Sequence, residues 1–149
     1  MSHPLARFRQ LPTGLRQRAL IWGLVFGVGA VSHLGDLIDG GLSVYAWAPR
    51  AVELFLLVVA LVDVGVVLLI GLLRRVGLIL GAVAILTEVA VNWWALTNDA
   101  APADLPGIGP LALTLLALVV FIAAPGLWSG LSVAPLREPA ASAPSWDRG

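Results

Sequence analysis

Four long apolar runs, at about 19–38, 51–73, 76–96 and 108–127, dominate this chain and leave little else for it to fold with. The hydrocarbon core of a bilayer takes roughly 20 consecutive apolar residues from a spanning helix, and each run meets that length. Features that stop or anchor a helix separate them: Gly40-Gly41 and Pro49, then Arg74-Arg75, then Pro102, Pro106 and Gly107. The sequence therefore predicts an all-α fold, an integral membrane four-helix bundle. Composition agrees on the solvent. Apolar residues make up 59% of the chain and charged ones only 12%, against about a quarter in a water-soluble domain.

The distribution of arginine predicts orientation, because basic loops are retained on the cytoplasmic side. Arg7, Arg9, Arg16 and Arg18 precede the first run, Arg74 and Arg75 fill the second loop, and Arg137 and Arg148 lie in the tail. The other two loops hold Arg50 alone, beside Asp39, Asp99 and Asp104. This bias predicts an N-in/C-in protein of the cell inner (plasma) membrane, multi-pass, with the lipid bilayer as its first partner. Three segments follow: a basic N-terminal segment at 1–18, the four-span domain at 19–128, and a Pro-, Ala- and Ser-rich tail at 129–149 predicted to be disordered and cytoplasmic. Ala30-Val31-Ser32 behind the arginines also fits a signal-peptide cleavage site, but the apolar run continues through Leu34, Leu37 and Ile38, which favours a retained span. Tyr45, Trp47, Trp93 and Trp94 are expected in an outer aromatic belt, and Trp22 and Trp128 in an inner one.

Several chemistries are excluded. The chain has no Cys and no Lys, so disulfides, thiol catalysis and Schiff-base chemistry are absent. Its arginines form no stripe interleaved with aromatics, so no nucleic acid partner is expected. Ser32 and Ser43 lack a nucleophile-elbow setting. No metal is predicted, because there is no Glu-x-x-His pair on any run and His33 is the lone intramembrane imidazole. No cofactor can be named.

What remains is a set of polar residues at membrane depth. A carboxylate near the middle of a span costs about 2.5–3.5 kcal/mol, which neighbouring Leu, Val and Ile offset at roughly 0.3–0.6 kcal/mol each. Asp63 and Glu88 are both in that position and must face protein or trapped water. At 1.5 Å per residue, Glu88 lies about 12 Å and Asp63 about 18 Å below the outer boundary. His33 and Asp36, three apart on the first span, share a face nearer that boundary. Glu53 opens the second span beside Arg50, with which it is expected to form an interfacial ion pair. Asn92 stands one turn above Glu88 and is expected to act as interhelical glue. Below Glu88, Ala84, Gly81 and Gly77 continue one face, whose GxxxG spacing reads as a packing surface; Gly23 and Gly27 repeat the spacing on the first span. The fourth span has no ionisable group, and Thr114 can bond its own helix. Together these residues predict a polar funnel opening outward and ending at the two carboxylates.

The second-span acid in AVELFLLVVALVDVGVVLLIGLL, the basic hairpin running into RRVGLILGAVAIL, and the Pro-Gly break in AAPGLW resemble the DoxX-like family of small bacterial membrane proteins over roughly residues 20–128. The HLGD segment, Glu88 and the NWW sequence depart from that pattern. The resemblance implies a four-helix bundle that handles a lipophilic or quinone-like small molecule, with Asp63 at the family's second-span acid. Three functions stay open on sequence: a bundle that binds such a molecule or handles protons, a structural or accessory subunit with a membrane partner, and a transporter protomer that works as a homo-oligomer.

Overall fold

A computed structural model of the chain describes residues 8–98, 100 and 109–133. Its helices are α1 (Thr13–Gly40), α2 (Arg50–Gly71), α3 (Val76–Thr97) and α4 (Gly109–Val133), with one 3-10 turn at Gly41–Ser43 after α1. All four are long and apolar enough to cross a membrane. The outer-loop residues 99 and 101–108, the first seven residues and the tail from 134 onward lie outside the described residues, and so do the expectations placed on them.

Two helices exceed their apolar runs. α1 starts at Thr13 behind Pro12, whose fixed φ suits a helix entry, so Arg16 and Arg18 are helical although they are not apolar. α4 passes through Pro125 to Val133, which corrects both the expected break at Pro-Gly and a disordered tail from Ser129. Packing explains the extension: Leu127 is fully buried and Leu131 packs on the core. Ser129 also donates its hydroxyl to the Pro125 carbonyl one turn back at 3.0 Å, an ordinary bond of a serine within a helix.

The helices form a closed ring in which α1 packs on α2 and α4, and α3 packs on α2 and α4. Neighbours run antiparallel. The Trp22 indole N–H donates to the Val120 carbonyl at 3.1 Å, and the Trp93 indole N–H to the Thr114 hydroxyl at 3.0 Å. α2 ends in a Schellman turn, with Leu73 N–H on Ile70 O at 2.9 Å and Arg74 N–H on Leu69 O at 2.8 Å. Leu73 takes the left-handed position of that turn at φ 56°, where glycine is usual. The Arg75 guanidinium then covers the Trp128 ring at 5.1 Å and ties the hairpin to α4.

Inward faces follow helical spacing. α1 buries Ala19, Trp22, Phe26 and Ala30; α2 buries Val59, Ala60, Asp63, Val66 and Ile70; α3 buries Gly77, Gly81, Ala84, Ile85 and Glu88. The small-residue stripe of α3 is thus a packing surface, and at Gly81 a Cβ would stand 2.7 Å from the Trp22 ring and 2.8 Å from that of Phe26. At Gly23 and Gly27 a Cβ would meet nothing within 4 Å, so the same spacing on α1 packs against no helix among the described residues. Trp22 corrects the inner-belt expectation. It is completely buried, with its ring against α3 and its N–H satisfied by α4, so it is a core residue. The outer surface is apolar: Leu24, Val31, Ile38, Leu61 and Ile122 are all more than two-thirds exposed, which suits lipid and not water.

Candidate functional site

The inward face of α1 rises from Phe26 through Gly29 to His33, and at this level the ring stops being apolar. Asp63 of α2 and Glu88 of α3 turn toward the same place. Asp63 is only 1% exposed and Glu88 7%. One ring nitrogen of His33 and one carboxyl oxygen from each of Asp63 and Glu88 lie within 4.8 Å of one another, close enough together to hold a metal ion. Each acid comes from a different helix and the imidazole from a third. A motif search along single helices therefore misses the set.

Gly29 makes room for it. A Cβ at this position would stand 2.5 Å from Asp63 Oδ2, so the carboxyl group occupies the space a side chain on α1 would fill. The helix spacing 29, 33, 36 places Gly29, His33 and Asp36 on one face, a signal present in the sequence although no role was assigned there to Gly29.

Above the cluster, the turn at Gly41–Ser43 reverses the chain, and Gly41 takes φ 62°, which suits glycine. The reversal returns Tyr45 onto α1. Its hydroxyl donates to Asp36 Oδ2 at 2.8 Å and stands 3.2 Å from His33 Nδ1. A phenol has one proton to give, and Asp36 takes it. Donor counting therefore assigns the His33 proton to Nδ1, facing the Tyr45 oxygen, and leaves the Nε2 lone pair free. Burial first, then the bonded Asp36 carboxylate, pushes the Tyr45 hydroxyl upward from its ordinary range and keeps it a neutral donor. This role corrects the aromatic-belt expectation: Tyr45 is buried, and its partners lie nine and twelve residues away across the turn.

The chain matches no family model, no curated protein and no solved structure.

Its polar residues thus sort by geometry alone. His33, Asp63 and Glu88 form the cluster, and Asp36 with Tyr45 orients the imidazole. His33 and Asp36 also face each other at 4.0 Å. Glu53 belongs elsewhere: it accepts from Arg50 at 2.9 Å in an ion pair at the start of α2, as expected for a span end. Asn92 departs from its expected role. Its amide donates to the Glu88 backbone carbonyl at 2.9 Å within α3, so among the described residues it bonds its own helix. Thr114 likewise returns its hydroxyl proton to Pro110 at 2.7 Å, leaving its oxygen for Trp93.

Electrostatically the cluster is incomplete. Asp63 Oδ1 and Glu88 Oε1 are buried without a hydrogen-bond partner among the described residues. Among those residues the Arg50–Glu53 ion pair and the His33–Asp36 contact both leave these carboxyls untouched. Buried polar atoms are nearly always satisfied, and an orphaned acceptor costs about 1–3 kcal/mol. Both orphans belong to carboxyl groups of the one His33–Asp63–Glu88 cluster.

Proposed function

We propose that this chain is a multi-pass membrane protein whose site among α1, α2 and α3 takes up protons or the electropositive end of a small lipophilic molecule. The pair of orphaned acceptors at Asp63 Oδ1 and Glu88 Oε1 carries this reading. A purely structural or accessory role predicts carboxyls satisfied by each other or by a neighbouring helix. A lipid-exposed Asp63 face would have favoured a protomer completed only by oligomerisation, and Asp63 is buried within a single chain. The DoxX-like resemblance adds a class of ligand, lipophilic or quinone-like. The arginine bias supports an N-in/C-in orientation in the cell inner membrane, with the turn carrying Tyr45 on the outer side.

An apolar carbodiimide tests the site directly, because it reacts from the lipid phase with protonated carboxyl groups. Modification is expected at Asp63 or Glu88, mapped by mass spectrometry, and is expected to disappear in the Asp63→Asn, Glu88→Gln double variant. A chain that resists the reagent under all conditions, with both carboxyls intact, would return the pair to a structural role.

A further inference from the structure

We propose that the His33–Asp63–Glu88 cluster binds one divalent first-row transition-metal cation, with His33 Nε2 and one oxygen from each carboxylate as its ligands. The inference rests on the reading of the cluster as a ligand site and names the ligand. Four observations lead to it.

The first is convergence. Donor atoms from α1, α2 and α3 lie within 4.8 Å of one another. Two donors on one tetrahedral zinc stand about 3.4 Å apart, given bond lengths of about 2.0–2.2 Å. The difference, at most about 1.4 Å, is on the scale of a side-chain rotation.

The second is vacancy in the hydrogen-bonding sense. Asp63 is 1% exposed, and Asp63 Oδ1 and Glu88 Oε1 have no partner among the described residues. An ion would satisfy both at once.

The third is charge. Once a cation displaces their protons, two carboxylates and a neutral imidazole sum to minus two, and no arginine among the described residues pairs with either acid. A divalent cation neutralises the set within the bilayer, where an uncompensated charge is most expensive.

The fourth is the support behind the imidazole. A metal-ligating His usually donates its second N–H to an acceptor that fixes the tautomer and raises ligand basicity. His33 Nδ1 faces Tyr45 Oη at 3.2 Å, and Tyr45 is held by Asp36 at 2.8 Å. This relay presents the Nε2 lone pair.

The donor set also selects the cation. Ca²⁺ and Mg²⁺ prefer six or more oxygen ligands, whereas one imidazole with two carboxylates suits zinc, manganese, iron or cobalt in the divalent state. Three protein ligands leave a coordination position for water or a substrate oxygen.

Cobalt(II) is the probe for the test, added to chelator-stripped full-length protein in lipid nanodiscs and followed by its visible absorption. One equivalent is expected to bind, with bands displaced by zinc. Asp63→Asn and Glu88→Gln should each weaken binding at least tenfold, and Glu53→Gln should leave it unchanged. Tyr45→Phe removes the acceptor behind His33 without removing a ligand; a loss of about tenfold is expected, with the bound spectrum retained. Should the carboxyl variants fail to fold, the His3→Ala chain decides: with copper(II) as probe, electron spin-echo modulation must report a coordinated imidazole, which His33 alone can then supply. Failure to bind cobalt, binding that survives in both carboxyl variants, or bound copper without an imidazole would each overturn the proposal. Bound zinc should also protect the cluster from carbodiimide. A protein that reacts with carbodiimide but binds no metal would refute the metal site and leave the proposed function standing, whereas failure in both experiments would remove both.

Discussion

At the scale of single residues, the site depends on one missing side chain. Gly29 leaves the space that the Asp63 carboxyl fills, with a hypothetical Cβ only 2.5 Å from Oδ2. Gly29→Ala should therefore push the carboxyl off its position and lower stability by about 1–3 kcal/mol, read as a fall in melting temperature in detergent. A melt unchanged from wild type would show that Asp63 has room to move. Replacements at Asp63 itself should diverge. Asp63→Asn keeps the shape and is expected to hold the fold while abolishing carbodiimide reaction at that position. Asp63→Leu is bulkier at the Gly29 contact and is expected to lower the melting temperature more than the amide does. The acids were legible in the sequence because a mid-span carboxylate is conspicuous in any apolar run. Tyr45 and Gly29 were not, since a tyrosine near a span end looks like an interfacial anchor and one glycine among sixteen carries no label.

At the scale of elements, the two GxxxG spacings make a contrast that sequence alone does not resolve. Gly81 lies beneath the rings of Trp22 and Phe26, whereas Gly23 faces no neighbouring atom within 4 Å. Gly81→Ala is expected to cost about 1–3 kcal/mol. Gly23→Ala should be neutral or stabilise by up to about 1 kcal/mol, the ordinary gain in helix propensity. Equal effects at the two positions would contradict the packing described for α3. A third substitution probes the hairpin: Leu73 occupies a left-handed position at φ 56°, and Leu73→Gly should relieve about 1 kcal/mol of backbone strain. The existence of four helices was plain from hydrophobic length, and their ends were less so. Apolar runs mark what lipid requires of a helix, but α1 and α4 extend beyond it through Arg16, Arg18 and Ser129, whose backbone is as helical as its neighbours'. Which face of α1 turns inward was also hidden, because leucines and valines cover both sides of it.

At the scale of the whole molecule, the arginine bias sets the remaining question of orientation. In a chain without cysteine, Ser43→Cys should react with a membrane-impermeant maleimide from outside intact cells, and Gln10→Cys should react only after the membrane is opened. The reverse pattern would place the Tyr45 turn inside. The ring of four helices also sets an order of events during biogenesis. No ligand set exists on any one helix or within the α2–α3 hairpin, which brings two acids together and no imidazole. The third donor comes from α1, and it is oriented only once the turn beyond α1 has folded Tyr45 back against it. A nascent chain therefore carries the two acids without their imidazole partner until its first span joins the hairpin. The complete donor set is thus a property of the assembled bundle, and a fragment lacking α1 should not bind cobalt.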